Sequence, residues 1–391
     1  MTKLLTFISL IALSNVGATQ DIVISNARII DGSGGTLQQG TIVVSDGRIV
    51  SVSAGGLTAP AGAEEIDARG MTVMPGFIDA HRHIMGGPGQ DATQWLEEQG
   101  PADMQAWLAA GFTTILSAGD DVEGILELRR RLQDGEIIGP RLITSGRASS
   151  FGTPEEARAA VRMVAAAGVD AIKTVFQTTP DGNEAETLAA IVDEAKRQGL
   201  PCIVHVTAVP DMITAVELGV TRLVHTPHTG TLDGTQGARM VAEAGIPVTS
   251  TLGVYVPRFD EENIGRVAPG GRPAVMIPIN LARGGQGPVN ARLLWDAGVV
   301  YGYGTDTRYS PKDSLAHELR PLRLFFSPRD IVTMLTKNAA AGVGLSNDIG
   351  TLEVGKLADI VILDGDPLTD TTALLRIRLV IKSGKIVVDN R

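Results

Sequence analysis

Six times between residues 111 and 298 the chain repeats one unit, an amphipathic helical stretch closed by glycine and followed at once by a short apolar strand. The closing glycines are Gly111, Gly168, Gly199, Gly219, Gly245 and Gly298. Among the strands after them are Phe112-Thr-Thr-Ile-Leu116, Leu200-Pro-Cys-Ile-Val-His205 and Val220-Thr-Arg-Leu-Val-His225. Glycine just past a helix takes the left-handed conformation that ends it without a Cβ penalty. Thr153-Pro-Glu-Glu156 opens one helix with an N-cap, a proline at the first helical position and two acids in the first turn. Helices and apolar strands alternating in this way predict parallel βαβ units. Strand candidates fall at about 72–83, 112–119, 140–146, 170–176, 201–207, 221–227, 246–252 and 298–306. Eight such strands close a (β/α)8 TIM barrel, so the expected class is α/β, with an open doubly wound sheet as the alternative.

The two ends of the chain read differently. Residues 21–70 and 357–390 alternate short apolar runs with glycine turns, as in Gly40-Thr-Ile-Val-Val-Ser-Asp-Gly-Arg-Ile-Val50 and Leu379-Val-Ile-Lys-Ser-Gly-Lys-Ile-Val-Val388. Neither end is long enough for a sandwich by itself, so the two are expected to pair as one small composite β-sandwich beside the barrel. The organisation this implies is a signal peptide over 1–18, N-terminal sandwich strands over 19–70, the barrel over 71–345 and C-terminal sandwich strands over 346–391. Residues 256–288, rich in Pro, Gly and Arg, interrupt the repeat. A loop that long in a compact domain is commonly functional or mobile.

Lys3, the apolar run Leu4 to Leu13 and the small residues Val16-Gly-Ala18 have the order of an export signal, the alternative being a buried N-terminal strand or helix. The apolar run is too short for a permanent anchor and no later segment is long enough to span a bilayer, so a periplasmic or secreted protein is expected. With one cysteine, Cys202, no intrachain disulfide can form. The formal charge is −10, from 34 basic and 44 acidic residues, without a basic stripe, which argues against nucleic acid as a partner. An oligomer of identical chains is left open.

Polar residues gather at the C-terminal ends of the strand candidates, where barrel enzymes build their sites. In Met74-Pro-Gly-Phe-Ile-Asp-Ala-His-Arg-His83 the first strand delivers two histidines at i and i+2. Strand side chains alternate faces, so His81 and His83 point the same way and can share a divalent metal; Zn, Fe, Ni and Mn are all chemically possible. Lys173, His205 and His225 end the fourth, fifth and sixth strands, and Asp306 follows the eighth in Gly302-Tyr-Gly-Thr-Asp306. Any one of these has an ordinary alternative: a core histidine, an ion pair for Lys173, a turn aspartate for Asp306. Of the six histidines only His228 and His317 fall outside the set, and that concentration is what carries the metal reading. His317, in Ser314-Leu-Ala-His-Glu-Leu319, reads as structural.

These motifs resemble the amidohydrolase superfamily, and within it the imidazolonepropionase-like and prolidase-like branch. The resemblance rests on Pro75-Gly-Phe-Ile-Asp-Ala-His-Arg-His83, Ala171-Ile-Lys173, His205 with His225 20 residues on, Gly304-Thr-Asp306 and Gly350-Thr-Leu-Glu-Val-Gly-Lys-Leu-Ala-Asp359, and covers nearly the whole mature chain. It implies a metal-bearing barrel with a sandwich from both termini. It also implies that His81, His83 and Asp306 bind a buried metal, that His205 and His225 bind a second, and that Lys173 bridges both as a carbamate. An ammonium has no lone pair to offer, whereas a carbamate is an anionic two-oxygen ligand. The cofactors so implied are two divalent ions, zinc first. Gly146-Arg-Ala-Ser-Ser-Phe-Gly-Thr153 departs from the branch, many of whose members carry Gly-His-Gly after the third strand.

The reaction implied is hydrolysis of a carbon–nitrogen bond in a small amide, dipeptide or N-acyl amino acid, by a hydroxide bridging the metals, with Asp306 as proton shuttle. An esterase, lactonase or phosphotriesterase on the same site, and a non-catalytic exported metal-binding protein, are the rival readings. His228 is a candidate substrate contact or alternative ligand. Arg147, Gln177, Tyr255, Arg258, Arg308 and Tyr309 are candidate substrate contacts in the βα-loops, an arginine being able to hold a carboxylate bidentately.

Overall fold

The computed structural model describes residues 21–55, 62–85, 91–232, 236–256, 267–268, 272–273 and 281–391. The expected export signal and Arg258 lie outside them, as does most of the 256–288 loop.

One mixed sheet joins both ends of the chain. Its strands are β1 (Ile22–Ile30), β2 (Thr36–Ser45), β3 (Arg48–Ala54), β4 (Glu64–Asp67) and β5 (Thr72–Pro75) from the first part. From the last part come strands over Ile360–Leu363, Ile377–Lys382 and Lys385–Asp389. The seam between the two parts is antiparallel, with Ile360 opposite Pro75 and Leu363 opposite Thr72. Period-two alternation decides what each face touches. Ile360 and Ile362 enter the small core with Ile22, Ile24, Ile42, Leu379 and Ile381, while Val361, Leu363 and Val380 belong to the large barrel core. The sheet is thereby apolar on both sides along its middle.

The barrel wall is β6 (Phe77–Arg82), β7 (Phe112–Ser117), β8 (Arg141–Ile143), β9 (Ser145–Arg147), β10 (Ala171–Val175), β11 (Cys202–His205), β12 (Arg222–Val224) and β13 (Val248–Thr249). The ribbon β14 (Val267–Ala268) and β15 (Arg272–Pro273) precedes the last wall strand, β16 (Tyr301–Gly302). All wall pairings are parallel, β6-β7-β8 in one run and β9 through β13 to β16 in the other. Hydrogen bonds from Ala80 N to Tyr303 O and from Asp306 N to His81 O join β6 to the segment after β16. This is the expected TIM barrel with an added sheet from the termini.

All six unit-closing glycines have positive φ, from 66° at Gly245 to 94° at Gly168. The helix Pro154–Ala167 carries the full capping box, Thr153 and Glu156 each accepting from the other's backbone or side chain.

Two strand expectations change. The single strand over 72–83 is two, β5 in the terminal sheet and β6 in the barrel, turning at Gly76. A Cβ there would lie 2.2 Å from Thr113 Oγ1, so close approach of β7 forces glycine. The third strand is broken at Thr144, whose amide and hydroxyl both bond Asp170, so β8 serves β7 and β9 serves β10.

Candidate metal centre

His81 and His83 leave the end of β6 toward the barrel mouth, His81 buried and His83 about one-third exposed. His225 and Asp306 follow β12 and β16 and both sit in the left-handed region, with φ of 75° and 48°. One ligand atom each from His81, His225 and Asp306 lies within 4.8 Å of the others, close enough for the three to share one ion. His83 Nε2 joins them 3.6 Å from Asp306 Oδ1, and the His205 ring lies 4.1 Å from that of His225. This tightest trio draws on both of the ligand sets that the resemblance implied.

Lys173 is buried in the middle of β10. Its ammonium has one hydrogen bond, to Thr174 O at 3.3 Å, and no ion-pair partner among the described residues. Burial pushes it down to about 8, partly offset by Asp306. Burial likewise drives His81 and His225 well below the usual imidazole value and His205 to about 3, helped by the neighbouring rings and Lys173. The same burial raises Asp306, against the pull of His83 and Lys173. A nest of neutral imidazoles is what metal ligation requires, because only the unprotonated ring offers a lone pair.

The residues fit a divalent metal. His225 Nε2 is buried without a hydrogen-bond partner and faces Asp306 Oδ2 at 3.7 Å, while Nδ1 is held by Thr251 Oγ1 at 2.6 Å. One ring nitrogen fixed by a hydroxyl and the other bare toward a carboxylate is how a ligand histidine is oriented. His81 Nε2 faces Asp306 Oδ1 at 3.7 Å, while its Nδ1 is buried without a hydrogen-bond partner.

The groups that hold these ligands were mostly not legible as functional residues. Thr251 is itself left-handed at φ 50°, after β13. Its loop is clamped by Glu318, which accepts from Ser250 Oγ, Leu252 N and Gly253 N and is pushed up to about 7 by burial. Asp120 accepts from Ser117 Oγ and Ile84 N and stands 3.7 Å from His83 Nδ1. Asp79 accepts from His81 N, Thr305 N and Thr305 Oγ1, tying the Asp306 loop to β6. Asp79 lies inside the histidine motif and Glu318 beside His317, which were the available signals.

A cavity of about 420 Å3 opens over the cluster, with Arg147, Phe151, Lys173, His205 and Asp306 in its lining. Arg308 and Tyr309 line instead a neighbouring cavity of about 270 Å3 that shares His83. His228 is buried with its ring 3.9 Å from that of Tyr255, and neither belongs to the tight trio. Gln177 is exposed. His317 Nε2 bonds Gly253 O at 2.8 Å, a structural place.

A model of the Amidohydrolase family matches residues 72–387. The imidazolonepropionase of Geobacillus kaustophilus is 27% identical over 392 residues, covering 91% of this chain and 92% of the relative. A crystal structure of a Bifidobacterium longum protein, provisionally assigned as a prolidase, has 28% identity and a TM-score of 0.79 over 94% of this chain and 95% of that one. A second, of an amidohydrolase, has 25% identity and a TM-score of 0.79 over 95% of this chain and 99% of that one. With these matches and a buried histidine–carboxylate cluster at the barrel mouth, the chain belongs to the Amidohydrolase family, in its imidazolonepropionase- and prolidase-like branch, and is a metal-dependent hydrolase of carbon–nitrogen bonds.

Proposed function

We propose that this enzyme is exported and cleaves the carbon–nitrogen bond of a small amide, dipeptide or N-acyl amino acid, with Asp306 carrying the proton. The observation that supports it most is the placing of Asp306, 3.6–3.7 Å from nitrogens of His81, His83 and His225, with its side chain 18% exposed toward the cavity. His81, His83 and Asp306 would hold one divalent metal, zinc first, His205 and His225 would hold a second, and a carbamate on Lys173 would serve both. Bound there, a divalent metal supplies Lewis acidity toward a carbonyl and a water acidic enough to act as nucleophile near neutral pH. Asp306, beside the three histidines and lining the cavity, takes a proton from water and delivers it to the departing nitrogen. Thr251 and Asp120 keep His225 and His83 aimed while this happens. Lys173, held down by burial, has the neutral amine population that reaction with carbon dioxide needs.

The test is elemental analysis of protein purified with bicarbonate, beside Lys173→Ala, together with a screen of dipeptides and N-acyl amino acids. About two metals per chain, falling in the variant, and hydrolysis of members of the screen are the expected results. One metal unchanged by the variant removes the carbamate bridge. Turnover of esters or lactones with none of amides overturns the bond assignment. Export is tested separately, by the N-terminal residue of the protein recovered from the periplasm or medium of its host; a chain still starting at Met1 in the cytosol refutes it.

A further inference from the structure

We infer that Arg147 is an anchor for a carboxylate on the substrate, so that the enzyme prefers anionic amides to neutral ones of the same shape. The inference rests on the amide-hydrolase reading and adds the charge of the molecule being cleaved. Arg147 ends β9 directly opposite Lys173 on β10, and side chains at paired positions of parallel strands share a face. It therefore reaches the same cavity as His81, His83, His205 and Asp306, whose lining includes it.

The guanidinium is positioned but not neutralised. Its Nε donates to Gly119 O, and its stem lies against Gly119, where a Cβ would come within 2.7 Å of Arg147 Cγ and 2.8 Å of Nε. Gly119 also has φ +91°, so both its conformation and its lack of side chain make room for this arginine. Carboxylates in the neighbourhood are engaged elsewhere, Asp120 with Ser117, Ile84 N and His83, and Asp306 with the histidines. Among the described residues none pairs with Arg147, and its two terminal nitrogens make no hydrogen bond. A fork of donors held by its Nε and left open at its end fits a carboxylate bidentately.

The wall beside it is built rather than loose. Ser150 is buried and donates to Val175 O, and Ser149 bonds both the amide and the carbonyl of Phe151. Phe151 stands 51% exposed on this wall, an apolar surface next to the charge. A molecule of a size suited to about 420 Å3 can reach the ligand cluster with its amide and Arg147 with its carboxylate.

The experiment compares each hydrolysed dipeptide or N-acyl amino acid with its C-terminal carboxamide, in wild type, Arg147→Gln, Arg147→Lys and Gly119→Ala. The wild type is expected to prefer the free acid, mainly through KM. In Arg147→Gln the loss of kcat/KM for the free acid should exceed that for the carboxamide by about 10- to 100-fold, the worth of a charge-assisted pair. Arg147→Lys should recover part of the preference, and Gly119→Ala should weaken it by crowding the stem. No preference in the wild type, or equal losses for both forms, overturns the inference; equal losses are what a role confined to the Lys173 carbamate would give. If neither form is hydrolysed, the amide reading has failed, and calorimetric titration with benzylsuccinate, an unreactive dicarboxylate, decides Arg147 independently. Binding that Arg147→Gln abolishes supports the anchor, and absent or unchanged binding refutes it.

Discussion

On one side of the metal centre the ligands ride a regular strand, and on the other they stand at sharp corners. His81 and His83 belong to or directly follow β6, where alternation alone sends both to the same face. His225, Thr251 and Asp306 follow three other strands, each with φ between 48° and 75°. Of the eight described non-glycine residues with positive φ, these three alone surround the site; the others are Asn26, Asp46, Arg69, Asp181 and Ser383. Such a conformation costs about 1–3 kcal/mol and persists where its surroundings enforce it. The enforcement is visible: Glu318 clamps the 250–253 loop, Asp79 clamps Thr305, and His81 O accepts from Asp306 N. The corner side is therefore held by hydrogen bonds, whereas the strand side is held mainly by its ladder.

Asp306→Asn should have the largest effect. Asparagine tolerates the left-handed corner, so the fold should survive while proton transfer is lost. kcat is expected to fall by about 10²–10⁴-fold. Metal content measured on the same sample separates the two roles of Asp306: metal retained with kcat lost assigns it to proton transfer, metal lost assigns it to ligation. A variant with both metal and kcat intact ends the proposed role. Next comes Thr251→Val, which keeps the shape and the β-branch and removes only the hydroxyl on His225 Nδ1. Metal affinity should drop by about 10- to 100-fold, as for other groups that orient a ligand histidine. An unchanged affinity in a chelator competition would mean that the corner holds His225 without Thr251.

Glu318 provides a pH-dependent probe of the same corner. Burial raises it from an ordinary 4.5 to about 7, so the folded protein holds this proton more tightly than the unfolded chain does. Its contribution to stability is then full below about 4.5 and is lost as pH rises to about 7, at most about 3 kcal/mol. In Glu318→Gln that slope should disappear. Denaturant unfolding of both proteins at pH 4.5, 6 and 7.5 gives the difference, and parallel curves would show that Glu318 is not protonated in the fold. Asp79, raised to about 6 by its own burial, adds a slope of the same sign to both proteins, and its charge is one of those that raise Glu318.

What could be read from the residues follows the same division. The glycine-closed units gave the barrel because each repeat is local, and alternation in segments such as Ile360–Leu363 gave the terminal sheet. His81, His83, Lys173, His205, His225 and Asp306 were legible because strand ends converge in a barrel. Gly76 was not: the break between β5 and β6 depends on how closely Thr113 approaches, a contact across 37 positions of chain. Thr251 and Glu318 were silent for a related reason. A threonine after a strand and a glutamate in a helix have no local signature: Thr251 gets its task from His225, 26 positions away, and Glu318 from residues 250, 252 and 253, 65–68 positions away.

The smallest effect is expected on the strand side, and it is the one that tests the comparison itself. Asp120 stands behind His83 much as Thr251 stands behind His225, but at 3.7 Å instead of 2.6 Å. It also has two other partners, Ser117 Oγ and Ile84 N, which an asparagine could keep in part. Because β6 already aims His83, Asp120→Asn should lower metal affinity by no more than about tenfold, the low end for groups that orient a ligand. Chelator competition on Asp120→Asn and Thr251→Val side by side gives the ratio directly. A greater loss for Asp120→Asn would reverse the assignment, making the carboxylate behind the strand the principal brace and leaving the left-handed corners to be held by their backbone bonds alone.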